Sequence, residues 1–376
     1  MKTKYLALIA LALSSFYSHG QELALVIDDG KVGYIDTSGQ YALQTDFEKA
    51  ASFSNGLAAA KEGKKWGFID ITGNWAIEPQ YDKVKAFNTG LALVLKDDQW
   101  NYIQTSGEIL EVDPPDKYLD FKDGVAIYRK GEKIGLLGSD GKLILEPTYD
   151  EIKKFWDGHA KFRKGEDNWG LLNYKGEVII PAEYEKIGAY NKNGVWGKKG
   201  NDLGVFSDGK FTAIPGIDKI WDFRSSSTLT YAKKGDKVGF VDNKGNWVIE
   251  PSFDAVRAFS NGMAPVRRDK KWGYINEKGE QVIDFQYKDA ETFSADGLAP
   301  VKEKMWGFVD KSGKLVIPME YDISAGFSFL QKNAQKGFNN GIARVKTKKG
   351  WGFINTKGEV LGDKWHKNAE NFADVN

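Results

Sequence analysis

The sequence predicts an all-β protein built from ten tandem copies of one unit of about thirty-four residues. Three observations carry this. A Trp-Gly or aliphatic-Gly pair recurs along the chain, a second Gly follows it five or six residues on, and an aromatic stands fourteen residues beyond that. The residues between these anchors are β-branched and aromatic, punctuated by Gly, Pro and Asp every few positions, so no twelve-residue helical stripe fits between them.

The first anchor is Trp66-Gly67-Phe68-Ile69-Asp70, Trp100-Asn101-Tyr102-Ile103, Trp169-Gly170-Leu171-Leu172, Trp272-Gly273-Tyr274-Ile275, Trp306-Gly307-Phe308-Val309 and Trp351-Gly352-Phe353-Ile354, with Val32-Gly33, Ile134-Gly135, Leu203-Gly204 and Val238-Gly239 in the same frame. The step between successive pairs is 34 or 35 residues until a last step of 45. The aromatics are Phe53, Phe87, Phe121, Phe155, Tyr190, Phe223, Phe259, Phe293, Phe327 and Phe372. A period near thirty-four also suits helical repeats, so the pattern inside the unit decides the class. A first strand is expected at segments such as Gly90-Leu91-Ala92 and Gly262-Met263-Ala264, and a second at Trp-Gly-Phe-Ile-Asp. A tight hairpin with Gly at positive φ follows. A third strand runs into Pro79, Pro147, Pro181, Pro251 or Pro318, where the missing N–H is expected to end the ladder.

The array is expected to fill residues 21–376 as a single domain, with an insertion at about 328–338 whose Gln331-Lys332-Asn333-Ala334-Gln335-Lys336 stretch reads as a polar loop. Ten units exceed the four to eight blades usual for propellers, so an open or spiral solenoid-like array is expected, with a closed β-propeller as the alternative. Residues 1–20 read as a signal peptide: Lys2 and Lys4, an apolar run from Tyr5 to Leu13, then Ser18-His19-Gly20 before Gln21. The run is too short to span a bilayer, so export without membrane insertion is expected, to the periplasm, cell surface or medium.

Composition narrows the function classes. With 53 basic and 52 acidic residues the chain has no field to attract nucleic acid. The absence of Cys excludes disulfides, thiol catalysis and thiolate metal sites. No catalytic, cofactor-binding or metal-binding residue is assigned. Beyond the leader the only His are His159, in the frame of Leu57 and Leu91, and His366, in the frame of Tyr81 and Tyr321, so both read as repeat substitutions. Acidic residues recur at one position (Glu48, Asp82, Asp116, Asp150, Glu185, Asp218, Asp254, Asp322), and each is expected to cap the N–H groups of its own turn. The repeated Trp position also accepts Val and Leu, which points to core packing. Trp156, Trp196, Trp221 and Trp365 lie off that frame and are the candidates for ligand or partner contact, and the repeat symmetry fails, so specific function is expected first, at the insertion after Phe327 and the irregular stretch from Asn191 to Ser227.

With Lys65-Trp66-Gly67-Phe68-Ile69-Asp70, Lys271-Trp272-Gly273-Tyr274-Ile275 and Glu250-Pro251-Ser252-Phe253-Asp254 in view, the chain resembles the bacterial WG-repeat, or KWG-repeat, proteins over roughly residues 22 to 373. The resemblance implies a bacterial, often exported repeat array that acts through interaction and has no catalytic residues to carry over. The expected function is a non-enzymatic protein-interaction or cell-envelope scaffold with a protein partner. A glycan-binding module using the off-frame Trp residues is the alternative.

Overall fold

The structure, a computed structural model, describes residues 21–224, 226–324 and 337–376. The expected leader, Phe327 and the Gln331–Lys336 stretch lie outside the described residues. The described chain is almost entirely β, in ten small antiparallel sheets that follow the repeat.

The eighth unit shows the plan. Its sheet runs from a two-residue edge strand, Ala255–Val256, through Met263–Arg268 and Lys271–Asn276 to Gln281–Tyr287. The chain then passes from Tyr287 through Lys288 directly into Asp289–Ala290, the edge strand of the next sheet. Most sheets borrow their edge from the preceding unit in this way, while those of Ala58–Glu62 and Val125–Lys130 keep only a single bridge there, Ala50 to Ala60 and Lys117 to Arg129.

The second anchor residue is Gly for a steric reason. Register runs Trp66↔Tyr81 and then Phe68↔Ile77, so residues 78–80 bulge opposite Gly67. A Cβ on Gly67 would lie 2.4 Å from the Ile77 carbonyl oxygen, and the equivalent Cβ on Gly135, Gly170, Gly204, Gly239, Gly273 or Gly307 would lie 2.2–2.7 Å from a facing carbonyl. The third unit has Asn101 instead, and there the third strand is missing: its sheet ends at Gln99–Gln104, with one isolated bridge from Ile103 to Ile109. The bulge also corrects the expectation for proline. Pro79 lies inside the strand Trp75–Tyr81 rather than ending it, because a bulged residue leaves the ladder and needs no N–H partner.

Packing joins neighbours. One core cluster combines Leu91, Leu93 and Tyr102 with Phe121, Ala126, Tyr128 and Leu137 of the following unit. Where the residue after the Gly anchor is aromatic, it packs tilted or edge-on against an aromatic nineteen positions on: Tyr34 on Phe53 (4.7 Å between ring centroids), Phe68 on Phe87 (4.7 Å), Phe240 on Phe259 (4.6 Å), Phe353 on Phe372 (4.9 Å). In the ninth unit Phe308 stacks on Phe338 (4.9 Å), which is fully buried. Asn339 and Ile342 then exchange backbone hydrogen bonds as Asn88 and Leu91 do. Phe338 therefore fills the place that counting alone gives to Phe327, and the extra residues precede it.

The ends of the chain meet. Glu22–Asp28 pairs with Lys31–Ile35 on one side and on the other with Asn368–Ala369 and Ala373–Asp374. The register Val26↔Ala369 and Ile27↔Asn368 reproduces Val94↔Val84 and Leu95↔Lys83, so the tail of the last unit stands as the edge strand of the first sheet. The all-β tandem architecture is as expected, and among the described residues its arrangement is the closed alternative rather than the open one, because Glu22–Asp28 is hydrogen-bonded to Asn368–Ala369 and Ala373–Asp374. Ala24, Val26 and Ile35 pack with Phe353 and Ala369 across this seam. Asp28 accepts hydrogen bonds there from Tyr41 (2.5 Å) and pairs with His366 Nδ1 (2.7 Å) and Lys364 (3.2 Å). His366 keeps the Tyr81 frame, bridging to Trp351 as Tyr81 bridges to Trp66.

Candidate functional site

Most first strands are entered by a loop that begins at the repeat's aromatic, and six of these loops end in a two-residue turn. Asn55-Gly56, Thr89-Gly90, Asp123-Gly124, Asp157-Gly158, Asn261-Gly262 and Asn340-Gly341 all have positive φ at both positions, the geometry of a type I′ hairpin, which Asn, Asp and Gly tolerate best. Side chains tie successive loops into one rim. Ser54 Oγ donates to the Phe87 carbonyl (2.7 Å), Ser226 Oγ to Phe259 (2.7 Å) and Ser260 Oγ to Phe293 (2.7 Å), Asn193 Nδ2 reaches the Arg224 and Ser227 carbonyls, and Gly341 N donates to Asp296 Oδ1 (2.9 Å).

Among the described residues no such side-chain tie joins the loops at Lys122, Trp156 and Tyr190. Trp156 stands where Ser54 and Ser260 make theirs. At this point the rim opens into a cleft of about 950 Å³ lined by Lys122, Asp123, Trp156, Asp157, Gly158, Ala189, Tyr190, Asn191, Lys192, Asp222, Phe223 and Arg224, from four successive loops. A hollow of about 460 Å³ adjoins it along the rim and shares Lys122.

Trp156 is 52% exposed, the one exposed Trp among the described residues. The Lys122 ammonium lies 5.2 Å from its ring centroid. Its backbone N–H donates to the His159 carbonyl, and His159 stacks on Tyr190 with centroids 3.5 Å apart and planes 15° from parallel. His159 Nδ1 lies 2.6 Å from the Asp157 carbonyl. Asp222 accepts from Trp196 Nε1 (2.6 Å) and from Ala189 N (3.0 Å). Lys161 occupies the strand position held by Leu25 and Leu93 in other units. It is half-buried, and its ammonium makes no hydrogen bond or ion pair with a described residue. Burial pushes it below the usual lysine range, while Asp222 pulls it back.

The four candidate Trp residues thus divide. Trp156, Trp196 and Trp221 are grouped at or beside the cleft, and only Trp156 presents its indole there. Trp196 is half-buried and spent on Asp222. Trp221 stacks on Tyr231 (4.8 Å) under Lys219 (4.4 Å). Trp365 lies far off in the last unit and packs on Gly352, whose absent Cβ would fall 2.8 Å from its ring. Of the other residues lining the cleft, Tyr190 has only a frame role in the sequence pattern, and Asp222 and Arg224 fall inside the irregular stretch from Asn191 to Ser227 without being singled out by it. The signal that could have found them was the run Lys161, Trp196, Tyr231, which replaces aliphatic or proline side chains at one strand position in three consecutive units.

The acidic row does not converge on a site. Asp150 pairs with Lys133 seventeen residues earlier (2.5 Å) and accepts the Gly165 N–H (2.6 Å), and Asp254 does the same with Lys237 (2.6 Å) and Asp269 N (3.1 Å). Asp116 and Asp218 likewise accept from Gly131 and Gly235. These carboxylates cap the first hairpin of the following unit, not their own turn, because the chain has by then crossed into the next sheet. Own-turn capping falls to Asp36, Asp70, Asp242 and Asp310, whose Oδ1 accepts N–H groups two and four residues on. Among the described residues no group of three or more His, Asp and Glu is placed to hold a metal ion. No helix among them is long and apolar enough to cross a membrane.

The frame Trp occupies the place expected of an apolar spacer. Trp272 is buried and the others half-buried, and five of the six are covered by a cation: Lys61 on Trp66, Lys153 on Trp169, Arg257 on Trp272, Lys302 on Trp306 and Arg344 on Trp351, at 4.6–5.9 Å.

A closed array of Trp-Gly-anchored β units defines the class. The chain belongs to the WG containing repeat family, whose sequence profile matches residues 33–66, 66–100, 134–166, 169–196, 239–272, 272–304 and 306–328, more than half of the chain. No curated protein sequence matches it. Solved structures of similar shape include the crystal structure of a eukaryotic initiation factor (11% identity, TM-score 0.44, 78% of this chain and 95% of that one). Others are PorZ, a surface component of the type-IX secretion system of Porphyromonas gingivalis (10%, 0.25, 90% and 57%), and the extracellular domain of the putative hybrid two-component system BT3049 of B. thetaiotaomicron (9%, 0.26, 91% and 63%). At these scores none of them transfers a role to this chain.

Proposed function

We propose that the protein is an exported, non-catalytic scaffold of the bacterial cell envelope that presents its loop rim to a protein partner. The observation that carries this reading is the rim itself. Loops from successive units are hydrogen-bonded to one another and set on a closed frame, which gives a broad surface already ordered before binding, so little conformational entropy is lost on association. The family match adds a repeat array, and the two His of the described residues are both held in packing contacts, His159 against Tyr190 and His366 against Asp28. The test is crosslinked affinity capture from the envelope fraction of the source cells, read by mass spectrometry. A single protein recovered in near-stoichiometric amount, and lost when Asn261 and Asn340 at the rim are changed to Arg, supports the scaffold. Recovery of nothing above the bare-matrix control contradicts it.

A further inference from the structure

We propose that the cleft walled by Trp156, Tyr190 and Asp222 is a carbohydrate-binding site that takes an oligosaccharide chain, with one sugar ring seated on the Trp156 indole. The site is built where the rim departs from its own rule. Five loops carry a short polar tie to the next loop; among the described residues the Asn88 and Lys122 loops show none, and at Trp156 the tying position holds a large planar aromatic that is half in water. An exposed indole is costly to leave in solvent, and here it is held in place by a tight turn with positive φ at Asp157 and Gly158 and by hydrogen bonds exchanged with His159.

The rest of the lining specifies the ligand class. Asn191, Lys192, Asp222 and Arg224 bring both donors and acceptors to the cleft, with positive and negative charge interspersed. A sugar ring offers the complement: one face of C–H groups for the indole and a circumference of hydroxyls for paired donors and acceptors. A polypeptide fits less well. The turn N–H and C=O groups at Trp156 and His159 are already paired with each other, so no strand edge is open for backbone addition, and the apolar floor at Phe223 is buried. The adjoining hollow that shares Lys122 extends the cleft along the rim, which suits a chain of sugars better than a single one.

The test is calorimetric titration of the purified protein with chitohexaose, cellohexaose, maltohexaose, laminarihexaose and hexagalacturonate, alongside the corresponding disaccharides. At least one hexasaccharide is expected to saturate with a Kd at or below about 1 mM, and its disaccharide to bind roughly tenfold more weakly. Trp156→Ala is expected to weaken that binding by roughly tenfold or more, Trp156→Phe by less, and Trp365→Ala not at all, with circular dichroism and melting of Trp156→Ala unchanged. Failure of every hexasaccharide to saturate overturns the assignment, as does binding that survives Trp156→Ala. A captured protein that depends on Trp156 while no sugar saturates would give the cleft to a polypeptide and also overturn it. Because the scaffold reading is tested by capture at Asn261 and Asn340, either proposal can fail while the other stands.

Discussion

Replacing Asp28 by Ala breaks a polar cluster that links the first and last units. Its carboxylate accepts from Tyr41 at 2.5 Å and meets His366 at 2.7 Å and Lys364 at 3.2 Å. Lys364 is 43% exposed and is rehydrated at little cost. His366 is 1% exposed, so Nδ1 loses its only side-chain partner in a place water does not reach. An orphaned buried polar group costs about 1–3 kcal/mol, and the lost charge-assisted bond adds a comparable amount. A destabilisation of roughly 2–4 kcal/mol follows. Burial works against the charged form of Asp28, but hydrogen bonds from Tyr41 and His366, attraction to His366 and the bond from Lys364 outweigh it and hold the carboxyl at about 2. The native pKa is thus lower than the unfolded value near 3.9, so this stabilisation is complete above about pH 4 and is lost as pH falls through 2. Allowing for solvent screening, this pH-dependent part is about 1–2 kcal/mol. Equilibrium urea unfolding followed by Trp fluorescence reads both. The wild type should unfold at a higher urea concentration than Asp28→Ala at pH 7, and the gap should narrow between pH 4 and pH 2. Equal midpoints at pH 7, or a gap that stays constant down to pH 2, would refute the reasoning.

Gly239→Ala places a methyl group 2.3 Å from the Ile249 carbonyl oxygen, so the two strands must separate, at a cost of about 1–3 kcal/mol in the same unfolding assay. Asn101→Gly, at the position with no facing third strand, should cost no more than about 1 kcal/mol from added chain freedom. Phe338→Ala removes a fully buried ring and its stacking on Phe308, and should lower stability by about 3–5 kcal/mol, as expected if Phe338 fills the repeat's aromatic position.

Much of the fold could be read from local pattern. Trp-Gly strands, Asp-x-x-Gly hairpins and the aromatic fourteen residues beyond each Gly are short-range signals, because the packing they report joins residues nineteen apart. What escaped was long-range or depended on exact register. Pairing of Val26 with Ala369 spans nearly the whole chain, and neither segment is unusual by itself. Phe327 satisfied the spacing count, yet Phe338 is followed by the Asn-Asn-Gly turn that the frame also requires, so two anchors taken together would have placed the extra residues correctly. The candidate site was legible only in part. Trp156, Trp196, Trp221 and Trp365 share a residue type and an off-frame position, but exposure is set by neighbours: Asp222 claims Trp196, Tyr231 covers Trp221, and the bare Cα of Gly352 receives Trp365.

Closure of the array is the claim on which the rim, the seam and the cleft all depend. It can be tested directly because the protein contains no Cys. Glu22 and Asp374 are paired across the seam in antiparallel register, between the Gln21–Val375 hydrogen bond and the Leu23–Ala373 pair. Opposed positions of this kind bring Cα atoms to about 4.5–5.5 Å, within disulfide reach. The double variant Glu22→Cys, Asp374→Cys, mildly oxidised at low protein concentration and analysed by non-reducing electrophoresis and mass spectrometry, should form an intramolecular disulfide in near-quantitative yield. Free thiols or intermolecular dimers alone would contradict a closed ring.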